Sequence, residues 1–222
     1  MLAVPSVSDR AVYISSGTWS LMGVERREAD CSAKAMSHNF TNEGGYDYRY
    51  RFLKNIMGLW MIQSVKKESK TPLTFGEICQ KASECDIPSL VDCYDERFLA
   101  PENMTQEIAK ACKETGQRVP KDLFETACVV YNSLARCYAD TIAEIEDITG
   151  IKYDSINVVG GGSNAEYLNR LTAKYTGCKV YAGPGEATAI GNVAAQMIAD
   201  GRFESVEELR SCIYNSFGVV NY

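Results

Sequence analysis

The chain has 222 residues, 45% of them hydrophobic, with 23 Lys and Arg against 29 Asp and Glu and a formal net charge of −6. That length and apolar content suit one large globular domain or two small ones with a sizeable core. The acidic balance, with no concentrated Lys/Arg stripe, argues against a nucleic-acid backbone or an anionic membrane as partner. No apolar run approaches the ~20 residues that span a bilayer, and the N-terminus lacks the charged and apolar regions of a signal peptide, so the cytosol is the expected compartment.

The cysteines number nine, an odd count, are scattered and show no C-x-x-C pair, so they read as reduced, small core residues rather than a disulfide framework. His38 is the single histidine and cannot complete a zinc set with them, so no metal-ligating protein cluster is expected. Nothing near His38 marks an orienting partner for a catalytic base, and a surface or hydrogen-bonded histidine is the expectation.

In chain order, residues 11–15 and 18–24 read as two strands joined at Ser16-Gly17 in a tight hairpin. Residues 42–45 read as a loop, Tyr48, Tyr50 and Phe52 alternate, and helical spacing takes over at Leu53, Met57, Trp60 and Met61, running to about Lys67. Residues 71–120 are choppier, with amphipathic helices over 74–85 and 103–115, and read as peripheral. The longest periodic segment, 120–149, sets Leu123, Ala127, Val130, Leu134, Tyr138 and Ile142 at helical spacing, with Gly150 where a stop belongs, and predicts a long core helix. A strand at 155–160, a helix at 164–176, a strand at 178–182 and a helix at 186–199 complete a β-α-β-α run, making mixed α/β the fold class. In the last helix, Gly191 and Ala194-Ala195 suggest close contact with the sheet, and Glu186 suits the positive end of the helix dipole.

The most informative feature is Asn157-Val158-Val159-Gly160-Gly161-Gly162-Ser163-Asn164, a β-branched strand running through three glycines into a helix start. The glycines permit positive φ and let a backbone or ligand approach closely. Ser163 and Glu166 have capping-box spacing, and free amides at a helix N-terminus favour an anion such as a nucleotide phosphate. The spacing fits neither the Walker loop nor the dinucleotide fingerprint, so tight backbone packing stands beside phosphate binding as a reading.

With these segments placed, the chain resembles the C-terminal domain of the FGGY carbohydrate kinase family along nearly its whole length. The resemblance rests on Ser15-Ser16-Gly17-Thr18-Trp19-Ser20, Asn39-Phe40-Thr41-Asn42-Glu43-Gly44-Gly45, the run at 51–60, the turn at 160–164, and Ala182-Gly183-Pro184-Gly185-Glu186-Ala187-Thr188. The second and third are specific to one ketose-kinase branch of the family. The resemblance implies a ribonuclease H-like (actin-like ATPase) domain with a mixed sheet flanked by helices. By the same resemblance, ATP with Mg²⁺ lies in a cleft between two domains, and residues 1–222 form the nucleotide-side wall.

Motif by motif, Thr18 and Gln63 match ATP contacts, Gly161 with its neighbours Gly160 and Gly162 matches the nucleotide turn, and Asn55 matches a sugar contact. The plain alternatives are a turn hydroxyl, a helix-surface amide, a packing turn and an intrahelical contact. The family's phosphate hairpin in the N-terminal domain and its catalytic aspartate have no counterpart here; Ala3-Val4-Pro5 matches the segment just after that aspartate. Asp47, Asp92 and Asp154 lack motif context and read as solvated carboxylates. The missing N-terminal kinase domain is therefore the expected partner and source of the base, and the lone chain is expected to be inactive. L-rhamnulose, L-fuculose and D-xylulose all remain open as the sugar, and a non-catalytic binding module with this fold is the competing reading.

Overall fold

A computed structural model describes residues 1–6 and 8–222. The described residues form one seven-stranded sheet from β1 (Ala11–Ser16), β2 (Trp19–Arg26), β3 (Thr41–Gly44), β4 (Tyr50–Met57), β5 (Ser155–Val159), β6 (Lys179–Ala182) and β7 (Val220–Asn221). Their order is β3-β4-β2-β1-β5-β6-β7, with β1, β5 and β6 parallel and the remaining pairings antiparallel. The parallel strands are joined by helical crossovers, which cover the sheet and bury its centre on both faces.

Strand periodicity sorts the side chains. Val12, Ile14, Met22, Val24, Phe52, Ile56, Ile156, Val158 and Val180 point to one face and pack with the helices α2 (Trp60–Ser69), α3 (Phe75–Ser83), α4 (Met104–Glu114), α5 (Leu123–Thr149) and α6 (Glu166–Thr176). Tyr13, Leu53 and Val159 point the other way, toward Val4 and α7 (Ala187–Ala199). A smaller cluster joins α7 and α8 (Val206–Ser216) through Leu2, Ala3, Ala194, Leu209 and Ile213. The short helix α1 (Ala33–Ser37) leads into β3.

Local chemistry fixes the helix limits. Thr74 and Glu77 form a full capping box at α3, Asn103 caps α4, and Asp122 accepts from Phe124 and Glu125 N–H at the start of α5; each such cap is worth about 1 kcal/mol. Gly150 and Gly177 end α5 and α6 in the left-handed conformation, at φ 70° and 69°. α5 is keyed to the sheet by a buried hydrogen bond of 2.6 Å between Ser20 and Tyr138, and by Lys54 Nζ at 2.8 Å from Glu144.

The mixed α/β expectation holds, and several local ones are revised. Residues 53–57 continue β4 instead of starting a helix, so Asn55 is a strand residue and no intrahelical contact is open to it. The hairpin turn lies at Gly17-Thr18, because Ser16 still pairs with Ser20. Residues read as a loop at 42–45 include most of β3. The middle segment is not peripheral: Ile78, Phe98, Met104, Ile108 and Cys112 are fully buried in the main core. Gly191 packs toward the N-terminal segment, where an added Cβ would sit 3.7 Å from that of Ala3, and Glu186 makes no capping hydrogen bond. The nine cysteines are unpaired, six of them buried, with Cys31 and Cys212 exposed. His38 ends α1 with Nδ1 3.5 Å from Glu144.

Candidate active site

The site grows from the C-terminal end of β1, where three backbone segments meet. The hairpin tip comes first: Gly17 and Thr18 give their carbonyls to the N–H groups of Leu59 and Trp60, at 2.9 and 3.1 Å, which locks the start of α2 onto the turn. This contact requires Gly58, since a Cβ there would fall 2.5 Å from the Trp19 carbonyl carbon. Thr18 is left with its backbone engaged and its side chain exposed, and Gln63 lies half-buried one turn along the same helix.

The glycine turn is the second segment. Gly160 adopts φ 85°, and residues 161–164 make a single 3-10 turn before α6 begins at Glu166. The three glycines differ in role. A Cβ on Gly162 would lie 1.9 Å from Ser16 Oγ and 2.4 Å from Ser16 Cβ, and one on Gly160 would lie 2.8 Å from the Ser16 carbonyl oxygen. Gly160 and Gly162 are therefore demanded by packing on β1. Gly161 is exposed, and a Cβ there would meet nothing within 4 Å.

Two details of the expected phosphate cradle change. The Gly160 amide donates to the Pro184 carbonyl at 3.0 Å and is not free for a ligand. The Ser163–Glu166 capping box does not form: Ser163 donates to the Gly160 carbonyl at 2.8 Å and Glu166 pairs with Arg170. The N-terminus of α6 is met from another helix, with the Tyr167 N–H 3.4 Å from Cys79 Sγ on α3. Burial raises the Cys79 thiol above its ordinary range, so the sulfur faces these amides as a neutral group.

The third segment is the exposed sheet face. Asn55 pairs with Leu21, Leu21 with Ser15, and Ser15 with Val159, so these four residues form one row across the sheet. Asn55 is exposed in that row, at the same end of the sheet as the hairpin and the glycine turn. The hairpin contacts the glycine turn through Ser16 and α2 through Gly17 and Thr18, so the structure gathers all the sequence-derived positions around one corner.

Sequence reading missed the wall supplied by α3. A pocket of about 350 Å³ opens between α3 and α6 beside the glycine turn, lined by Gly76, Cys79, Gln80 and Ser83 on one side and Asn164 and Tyr167 on the other. Its only sequence signal is a glycine and a serine at helical spacing, Gly76 and Ser83, on a helix otherwise fixed by its capping box.

A mixed sheet carrying helices on both faces, with a hairpin and a glycine turn converging at one end, is the architecture of actin-like ATPase-fold sugar kinases. Xylulose kinase from Rhodospirillum rubrum superposes with a TM-score of 0.67 at 14% identity, covering 95% of this chain and 42% of that one. Plasmodium falciparum glycerol kinase with ADP superposes with a TM-score of 0.63 at 11% identity, over 94% of this chain and 42% of that one. At these identities the likeness is one of fold.

Residues 12–199 match the FGGY family of carbohydrate kinases, C-terminal domain, and the chain belongs to that family. A rhamnulokinase from Halalkalibacterium halodurans is 50% identical over 222 residues, covering 100% of this chain and 47% of that protein. A rhamnulokinase from Bacillus subtilis is 42% identical over 220 residues, covering 99% and 45%. The chain thus spans about half the length of the curated relatives it matches and corresponds to their C-terminal part.

Proposed function

We propose that this chain is the nucleotide-side half of an ATP-dependent kinase that phosphorylates L-rhamnulose at its primary hydroxyl. The observation that carries the reading is the open outer face of Gly161, set between the Thr18 hairpin and the α3–α6 pocket. This sits within a chain 50% identical to a rhamnulokinase along its full length. L-Rhamnulose is favoured over L-fuculose or D-xylulose because the xylulose kinases share only the fold, at 14% identity.

In this reading the pocket between α3 and α6 receives the nucleoside, and the phosphates pass over Gly161 toward the Thr18 hydroxyl. The residues fit such a guest. The pocket of about 350 Å³ falls in the range of small-molecule sites, and Gly161 leaves the approach unobstructed. Among the described residues no three His, Cys, Asp or Glu side chains stand together as a metal site, so Mg²⁺ is expected to be held mainly by the phosphates. Bound there, Mg-ATP supplies the transferable phosphoryl group and its charge neutralisation.

The chain's own part is positioning. The Thr18 hydroxyl donates to a phosphate oxygen, Gln63 offers an amide from α2, and Asn55 hydrogen-bonds the sugar from the sheet face. The base that takes the sugar's proton belongs to the upstream half, so the chain alone is expected to bind nucleotide weakly and to transfer nothing. Among the described residues no helix is long and apolar enough to cross a membrane, consistent with soluble small-molecule substrates.

Calorimetric titration with Mg-ATP tests the site: heat from the intact chain that disappears in Gly161→Val supports the nucleotide turn. Sugar phosphorylation by the lone chain would refute the division of labour. Equal turnover of L-fuculose once the upstream half is joined would refute the choice of sugar.

A further inference from the structure

From Ala187 to Ala199, α7 carries no charged side chain, and only Ala194 is buried. Its inner stripe rests on Leu2, Ala3 and α8, while on the opposite side Val193 is 55% and Met197 38% exposed. The other surface helices are not built this way. α6 presents a Glu166–Arg170 pair and α4 a Glu107–Lys110 pair to solvent. A solvent-facing helix side with two large apolar residues and no charge has the composition of an interface centre, where charged groups are depleted because their desolvation is costly.

The chain's entry point indicates what covers it. Leu2 and Ala3 pack directly against α7, so polypeptide preceding Met1 in the relatives emerges beside this helix. The curated relatives have more than half their length outside the matched region, which corresponds to their C-terminal part. We propose that the outward face of α7, centred on Val193 and Met197, is the docking surface for that upstream half; the inference rests on the two-half kinase reading given above.

The position of α7 gives the contact a functional consequence. Its leading turn is bonded to the glycine turn through the Gly160 amide and the Pro184 carbonyl, and a Cβ on Gly185 would lie 3.6 Å from Asn164 Nδ2. A body seated on α7 therefore bears on the segment proposed to carry the phosphates.

The test fuses the upstream half of the Halalkalibacterium halodurans rhamnulokinase ahead of Met1 and compares hydrogen exchange in the fusion and in the free chain. Amides of α7 are expected to exchange at least about tenfold more slowly in the fusion. Val193→Glu with Met197→Glu should return them to the free-chain rate while α5 stays protected.

Equal α7 exchange in fusion and free chain overturns the proposal, even if the fusion phosphorylates L-rhamnulose. Slowed exchange in a fusion that phosphorylates no ketose leaves the docking surface standing and removes the kinase reading. Concentration-dependent protection in the free chain, accompanied by a sedimenting dimer and no deeper in the fusion, assigns the face to a second copy and also overturns the proposal.

Discussion

Substituting the three consecutive glycines one at a time separates the packing demand of the turn from its proposed binding role. In Gly162→Ala the new methyl would sit 2.4 Å from Ser16 Cβ as well as 1.9 Å from Ser16 Oγ, so rotating the hydroxyl away leaves the clash with a carbon anchored to β1. Ser16 is buried and Ser15 is in register with Val159, so neither strand can yield without disturbing the parallel pair at the sheet's centre. Overpacking of this kind costs about 1–3 kcal/mol, and the rigid contact puts it at the upper end. For a chain of this size the midpoint of thermal unfolding should fall by about 6–12 °C.

Ser16→Gly removes both offending atoms, so the double variant Ser16→Gly/Gly162→Ala should recover most of the loss relative to Ser16→Gly alone. That pattern would appear as a coupling of about 2 kcal/mol in a double-mutant cycle. Gly161→Val should change stability by no more than about 0.5 kcal/mol, because its side chain enters open space. Thermal melts of the four variants, together with Mg-ATP titrations of those that stay folded, decide the matter. If Gly161→Val melts as low as Gly162→Ala, or Ser16→Gly gives no recovery, the separation of roles is wrong.

Asn55→Ala, at an exposed strand position, should leave thermal stability and Mg-ATP heat unchanged yet raise the sugar KM of the joined two-half enzyme about five- to tenfold, the worth of a hydrogen bond or so; an unchanged KM removes Asn55 from the sugar site. Tyr138→Phe strands the buried Ser20 hydroxyl that it meets at 2.6 Å, and should cost about 1–2 kcal/mol in denaturant unfolding with an unchanged m-value. Burial pushes the Cys79 thiol up and that of Cys137 to about 12, so alkylation of the native chain near neutral pH should mark Cys31 and Cys212 first; early labelling of Cys137 in mass spectra would contradict its placement. Hydrogen bonds from Thr74 hold the Glu77 carboxyl below its ordinary range, so its contribution to the start of α3 is present above the unfolded carboxylate value and is lost as pH falls through the lower folded one. Exchange at the first amides of α3 should accordingly quicken from about pH 4 downward, with a flatter profile in Glu77→Gln.

What the sequence discloses and what it conceals divide along physical lines. α5 was legible because its apolar positions repeat at 3.6 residues and Gly150 supplies the left-handed stop. β4 was misread because it lies at the buried centre of the sheet: Phe52 and Ile56 face α5 while Leu53 faces α7, and a strand apolar on both sides fits a helical period as readily as an alternating one. The glycine turn stood out as a motif, yet the division between packing and exposure depends on Ser16, far away in the chain. Cys79 was invisible for the same reason, since its partner Tyr167 lies 88 residues on. β7 and α8 went unassigned because one is two residues long and the other follows no strand signal.

The same division governs how the corner of the site is built. The residues that hold it together are small and enclosed: Gly58 lets α2 close on the hairpin, and Gly160 and Gly162 let the turn close on Ser16. Those left facing outward are Thr18, Asn55 and Gly161, whose side chains or bare backbone have no steric duty inside the fold. Backbone hydrogen bonds from Leu59 and Trp60 to the hairpin, and from Gly160 to Pro184, make a single bonded unit of α2, β1, the glycine turn and the start of α7. A displacement imposed at α7 must then reach the nucleotide turn before it reaches Asn55, which is tied in only through the β2–β4 ladder. For a kinase that transfers phosphate only when its halves meet, this order places the nucleotide turn, rather than the sugar contact, in direct mechanical reach of closure.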